Sequence, residues 1–204
     1  MGVPKKRRTQ VERRATAEKG LIDAAIELLA TRGYHGFTLA DVGETAGYSR
    51  GITAHYFGVK EELLALAAST VVEQYYDILN TAESTLCGID AIEAGIRVYA
   101  ENLGSPATHA LAVLVGNAGT EEVVGAAIRN LNKLGRERLI GELKAGVAAG
   151  NIRPDINFEQ IASLIYVYDR GLLQFSHIDP DFDASQSASA FIQMLRAAIA
   201  TEAV

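Results

Sequence analysis

Apolar residues recur at helical spacing along almost the whole chain, and no stretch alternates as a half-buried strand would. The first periodic run follows Thr9, which stands at capping-box spacing from Glu12, and carries Ile22, Ala25, Ile26 and Leu29 on one face as far as Gly33. A helix from Gln10 to about Arg32 is predicted. Thr38 then offers a hydroxyl N-cap, Asp41 puts negative charge in the first turn, and Leu39, Val42 and Ala46 share an apolar face that Gly47 ends. Ser49 is placed to cap a second, short helix from Arg50 to Phe57. Helix, tight turn and short helix make a helix-turn-helix pattern.

Beyond Phe57 the segment KEELLALAASTVVEQYYDIL predicts a long helix with Leu63, Leu66, Ala67, Val71, Tyr75 and Ile78 on one face, and with Glu61 and Glu62 where the helix dipole favours negative charge. Asp90 is placed to cap a helix through Leu103. Pro106 opens a short, nearly all-apolar helix, and Glu121 to Ala149 reads as a long one carrying Val123, Ile128, Leu131, Leu134, Leu139 and Leu143, closed by Gly150. Two more follow, from Phe158 to about His177 and from Ala184 to about Thr201. The penultimate helix is apolar almost all round in LIYVYDRGLLQF, so it must be covered on more than one side. Ile161, Ile165, Tyr168, Leu172 and Phe175 form one stripe; the last helix repeats the situation with Phe191, Ile192, Leu195, Ala198 and Ile199. Meeting their symmetry mates, the two helices would form a four-helix, isologous homodimer interface, with Ile165, Tyr168, Leu172, Phe175, Phe191 and Leu195 as its residues.

Composition narrows the class. A chain of 204 residues, 49% hydrophobic, supports one sizeable core or two small helical ones. A single cysteine, Cys87, excludes an internal disulfide, the amino terminus is charged, and no run approaches the roughly 20 apolar residues of a membrane span. A cytoplasmic protein with no membrane partner is expected. The net charge of −6 looks wrong for a nucleic-acid binder until it is divided. Residues 1–58 hold nine Lys or Arg against six Asp or Glu, while the remainder carries −9. A basic end beside an acidic body orients a molecule in a phosphate field. The first fourteen residues, with Lys5, Lys6, Arg7, Arg8, Arg13 and Arg14, read as a basic arm able to neutralise phosphates or simply to be solvated.

On a period of 3.6, Thr53 and Phe57 of the short helix face a core, and Arg50, Gly51, Ala54 and His55 lie on the opposite side. That exposed side suits a DNA major groove; a helix pair of no special function is the plainer reading. AGYSRGITAHYFGVKEELL resembles the end of the DNA-binding domain of TetR/AcrR-type transcriptional regulators: an AG turn, a Ser, a Gly, an aromatic-rich ending, and a Lys before acidic residues and Leu. AAIELLATRGYHGFTLADV is similar to the family's first helix, Gly-Tyr turn and threonine-led second helix. The likeness is dense over Gly20 to Leu64, and YDRGLLQFSHIDPD resembles the family's dimerisation region. Ala54 departs from a common Tyr, and Val59 from a common capping Ser.

The resemblance implies that Thr38 and Ser49 hold phosphates, Arg50 and Gly51 approach bases, His55 and Tyr56 meet the backbone or a base, and Lys60 holds a phosphate; Tyr48 belongs to the same expected DNA-contact set. It also implies an all-α fold: a three-helix helix-turn-helix DNA-binding domain over 15–62, behind the arm of 1–14, and a helical ligand-binding and dimerisation domain over 63–204. The expected partners are double-stranded DNA with a near-palindromic operator, a small-molecule effector and a second copy of the chain. A constitutive or architectural DNA-binding protein is the alternative.

No catalytic or metal-binding constellation stands out, and no cofactor is expected. His35, His55, His109 and His177 are not within helical reach of one another, and GxSxG, HExxH and P-loop motifs are absent. Tyr75, Tyr99, Asn102, His109, Tyr166 and Asp169 are the candidate effector contacts, being polar groups set among apolar helix faces, as Tyr76 and Asn117 also are. Asp169 and Arg170 interrupt an apolar helix, where an ion is usually paired; an interface salt bridge and a ligand contact are both open. The acidic, aromatic body favours an uncharged or cationic amphipathic ligand.

Overall fold

The computed structural model describes residues 9–82 and 85–201. Residues 1–8 of the arm and the side chain of Ile78 lie outside the described residues. The helices are α1 (Gln10–Arg32), α2 (Leu39–Thr45), α3 (Ile52–Phe57), α4 (Lys60–Ala82), α5 (Ile89–Asn102), α6 (Pro106–Asn117), α7 (Glu122–Ala149), α8 (Phe158–Ile178) and α9 (Ala184–Ile199). Extended pairing among the described residues amounts to one antiparallel bridge, Ile152 to Ala200. The fold is all-α.

The helix ends follow from local chemistry. Thr9 and Glu12 close a reciprocal capping box on α1, and Thr38 and Asp41 close another on α2. Gly33, Gly47 and Gly150 have positive φ where α1, α2 and α7 stop. Ser105 caps α6 with Pro106 in the first turn. Two expected caps are not formed. Gly51, not Ser49, holds the N-cap position of α3, with no side-chain bond, and α3 begins only at Ile52. Gly88 stands before α5, and Asp90 lies in its first turn, where Arg196 of α9 pairs with it at 2.6 Å.

Helices α1 to α3 form a small head. Leu21, Ala25, Leu28 and Leu29 of α1 close on Val42, Phe57 and the first turns of α4, with Leu63 and Leu64 fully buried. Ile22, expected at the centre of that stripe, is only half-buried at its edge, and Leu66 of α4 is 43% exposed because Leu64 and Ala68 take the inward positions. Helices α4 to α9 form the body, in which α7 packs along both α4 and α8, and α5 along α9. The division expected between residues 62 and 63 falls inside α4, one continuous helix. The head is docked on the body a second time, since α6 packs along α1.

Candidate nucleic-acid interface and body cavity

The helix-turn-helix is held together by a close approach. Gly43 of α2 is buried, and a Cβ there would stand 2.7 Å from the carbonyl oxygen of Ser49 and 3.2 Å from Oγ1 of Thr53. A bare position in mid-helix costs up to about 1 kcal/mol against alanine, and here it lets α2 lie against the turn and α3. Sequence reasoning missed Gly43; its signal was a glycine inside an otherwise periodic helix. Thr53 and Phe57 face inward as expected, which turns Arg50, Gly51, Ala54 and His55 outward, all exposed. Tyr48 is exposed in the turn, and Tyr56 lies half-buried beneath Arg14, whose guanidinium stands 5.7 Å from its ring centroid. A surface groove between the first turns of α1 and α3 is lined by Arg13, Arg14, Tyr48, His55 and Tyr56, so the cations of α1 and the reading side of α3 share one face.

Three expected contacts have other partners. Arg50 is paired through Nε with Glu44 at 2.7 Å, both side chains being half or more exposed. An exposed pair of that kind contributes about 0–1 kcal/mol, so it can be exchanged for a base edge at little cost. Thr38 spends its hydroxyl on Asp41, accepting from its backbone N–H and donating to its carboxylate, which holds Asp41 below the usual carboxylate range. Lys60 turns inward. Its Nζ donates to the carbonyls of Tyr34 and Phe37 at 2.5 and 2.6 Å and sits 3.9 Å from the Phe37 ring centroid, so it ties the α1–α2 turn to α4 rather than facing the reading side. Burial pulls the Lys60 ammonium below its ordinary pKa.

The body holds a partly open cavity of 270 Å³ among α4, α5, α6 and α8, walled by apolar residues such as Val71, Val72 and Leu111. Of the expected effector contacts, Tyr75, Tyr99, Asn102, Tyr166 and Asp169 line it. His109 does not. It meets His177 of α8 edge-on, ring centroids 5.3 Å apart, and Asn117 donates to the carbonyl of Val113 instead. Tyr76 and Arg170 join the lining. Gly135 of α7 makes room for one wall: a Cβ there would stand 2.3 Å from the Tyr166 ring. The Tyr166 hydroxyl donates to Oδ1 of Asn132 at 3.1 Å and accepts from Nη2 of Arg170. Burial pushes the Asp169 carboxyl up to about 7, against the lowering effect of Arg170 beside it. Among the described residues no group of three or more His, Cys, Asp and Glu could hold a metal, and no single helix is long and apolar enough to cross a membrane.

The expected interface residues divide by burial. Ile165, Leu172 and Leu195 are 0%, 2% and 7% exposed and belong to the protomer's own core. Tyr168 and Phe191 stack on each other at 3.8 Å, half-buried. Phe175 points outward, with Leu164, Val167 and Ile178 on the same face of α8 and Met194 exposed on α9.

Residues 21–67 match the family model described as bacterial regulatory proteins, tetR family. The HTH-type transcriptional regulator CymR of Pseudomonas putida is 46% identical over 69 residues, so the matched segment spans about a third of either protein, 34% of each. The HTH-type transcriptional repressor AcnR of Corynebacterium jeikeium (strain K411) is 28% identical over 154 residues, 75% of this chain and 77% of that one. A solved transcriptional regulator of Saccharomonospora viridis, in complex with choline, superposes with a TM-score of 0.79 at 14% identity, covering 92% of this chain and all of its own; at that identity the likeness is one of fold. The head, with the exposed side of its short third helix, thus carries a helix-turn-helix segment that matches those of the tetR family of bacterial regulatory proteins, and the fold of the whole chain is shared with solved regulators of that shape.

Proposed function

We propose that the chain is a sequence-specific DNA-binding transcriptional regulator, a homodimeric repressor released from its operator by a small molecule. The observation that carries this reading is the outward side of α3 and of the turn before it, where Arg50, Gly51, Ala54 and His55 stand clear of the core and His55 shares a groove with Arg13 and Arg14. A short helix presenting its N-terminal residues in this way enters a major groove and reads base edges. The name of AcnR supports repression, and the choline held by the Saccharomonospora viridis regulator supports a ligand-bound body.

The dimer follows from the outward face of α8. Leu164, Val167, Phe175 and Ile178 are 60–74% exposed and recur at helical spacing, with Gly171 open between them, and Met194 of α9 is also 70% exposed. Such a face is costly in water and self-complementary across a two-fold axis. The interface therefore lies on this face, one step around α8 from Ile165 and Leu172. Two heads related by that axis demand a near-palindrome with half-sites spaced by about one helical turn or a multiple of it. Selection of bound fragments from a random duplex pool tests the function: a symmetric consensus is expected, and recovery of no preferred sequence would overturn it. Arg50→Ala should relax base preference and cost about 1–3 kcal/mol.

A further inference from the structure

Most polar groups of the body cavity are already committed. Tyr75 donates to the carbonyl of Gly95, Asn102 to that of Val98, and Thr108 to that of Leu103. Three buried atoms are not. The buried Nε of Arg170, the hydroxyl of Tyr99 and Oδ1 of Asp169 have no hydrogen-bond partner, and Tyr99 is only 6% exposed. Tyr99 sits near the guanidinium without completing a bond to it. All three belong to residues that line the cavity. A guanidinium and a phenol offer N–H and O–H donors, and a guanidinium stays charged at any ordinary pH. The hydrogen bond that Arg170 completes among the described residues goes to the Tyr166 hydroxyl, a neutral oxygen, with the Tyr99 hydroxyl and the Asp169 carboxyl close by. Because burial holds the neighbouring Asp169 carboxyl toward its neutral form, the guanidinium lacks a full counter-ion, and a positive charge so placed calls for an anion.

A cationic ligand fits poorly, although the aromatic lining invites one. Arg138 already lies over the Tyr76 ring at 4.9 Å and Arg170 over the Tyr166 ring at 4.8 Å, so a face of each serves the chain's own guanidinium groups. A ligand cation would add positive charge beside Arg170. Size limits the rest of the molecule. The 270 Å³ available is under the usual drug-sized pocket of about 300–1,000 Å³ and under twice the roughly 150 Å³ that holds benzene in an engineered apolar cavity.

We propose that the cavity takes a compact apolar monocarboxylate, of about six to ten carbon atoms, whose carboxylate is held by Arg170 and Tyr99 while its apolar body lies against Val71, Val72 and Leu111. This rests on the reading of the cavity as the effector site. It reverses the expectation of an uncharged or cationic ligand, which averaged the charge of the whole body where one buried arginine decides the local sign.

Calorimetric titration of the full chain with benzoate, cyclohexanecarboxylate and octanoate tests it, with benzamide and benzyltrimethylammonium as the neutral and cationic counterparts of the aryl acid. At least one carboxylate should bind, with benzoate about tenfold or more tighter than benzamide and the ammonium without measurable heat. Arg170→Met replaces the charge with an apolar chain of similar length; it should keep the parent's circular dichroism and lose the preference for carboxylate over amide. Should that variant fail to fold, Tyr99→Phe removes one oxygen and is expected to weaken the carboxylate several-fold without affecting the amide. Equal affinity for amide or ammonium, no binding by any of the three acids, or a preference that is undiminished in either folded variant overturns the assignment. Carboxylate binding that leaves operator occupancy unchanged overturns the release mechanism and leaves the ligand class standing, whereas loss of carboxylate binding leaves DNA recognition untouched.

Discussion

Lys60 shows how far a residue's role depends on what surrounds it. A lysine after a short reading helix looks like a phosphate contact, yet its ammonium closes two carbonyls that would otherwise lie unpaired at the junction of α1, α2 and α4. Charged hydrogen bonds of this sort are worth about 1.5–3 kcal/mol. Lys60→Met should therefore lower stability in urea by about that amount while the salt dependence of DNA binding stays near the parent's; a flattened salt slope with unchanged stability would return Lys60 to the phosphates. Asp169 makes a pH prediction. Its carboxyl titrates near 7 when folded and near its ordinary, lower value when unfolded. The protonated form is thus the one that folding favours, and the stability it contributes is present in acid and is lost as pH rises from about 4 through 7. Asp169→Asn should remove that loss, so its advantage over the parent should grow by on the order of 2 kcal/mol between pH 5 and pH 8 in parallel denaturation curves. A constant difference would mean that Asp169 does not titrate in this window.

At the scale of elements, α4 and α6 touch both the cavity and the head. Helix α4 starts at the Gly58–Val59 joint behind α3, is tied to the head by Lys60, and reaches the cavity at Val71 to Tyr76. Helix α6 walls the cavity with Ala107, Thr108 and Leu111 and packs along α1. Burial pushes the Tyr34 hydroxyl of the head up to about 12, and Glu121, just beyond α6, adds to the rise, so the contact is electrostatically felt. Gly135 tests the wall on the other side. Alanine is the better helix former by about 1 kcal/mol, but the added methyl must displace a Tyr166 ring fixed by Asn132 and Arg170, and overpacking costs about 1–3 kcal/mol. Gly135→Ala is expected to be less stable and to bind a cavity ligand more weakly; a thermal midpoint above the parent's would show that the ring moves freely.

The helix ends were largely legible because they are local: a Thr with an acid three residues on, or a glycine after the last periodic position, contains its own reason. What the sequence hid was tertiary. The inward turn of Lys60 spans 23 and 26 residues to its acceptors, and the pairing of Arg196 with Asp90 spans 106. Helix α8, apolar almost all round, gives no sign of which side meets the body, so Leu172 and Phe175 look alike until the fold puts one at 2% and the other at 60% exposure. The cavity residues were legible as polar groups on apolar faces. The meeting of His109 with His177, from helices far apart in the chain, was not.

On the scale of the whole molecule, the proposed dimer couples the two heads. Val167→Glu or Phe175→Glu places a charge on the outward face of α8 and should yield folded monomers that bind operator poorly, whereas Leu172→Glu and Leu195→Glu bury an unpaired charge in the protomer and should unfold it. Sedimentation of the two outward variants at the dimer mass would move the interface elsewhere. In a dimer, a ligand that prefers one tilt of α4 changes the separation of the two reading helices, and rigid duplex DNA tolerates little change in it. Reciprocity then requires DNA to weaken the ligand by the same factor that the ligand weakens DNA. The decisive measurement is a calorimetric titration of the tightest of the three carboxylates into the protein alone and into the protein saturated with its selected operator. Binding weaker by about 5 to 150-fold in the presence of operator is expected, and equal affinity in the two titrations would show that the cavity does not control the reading heads.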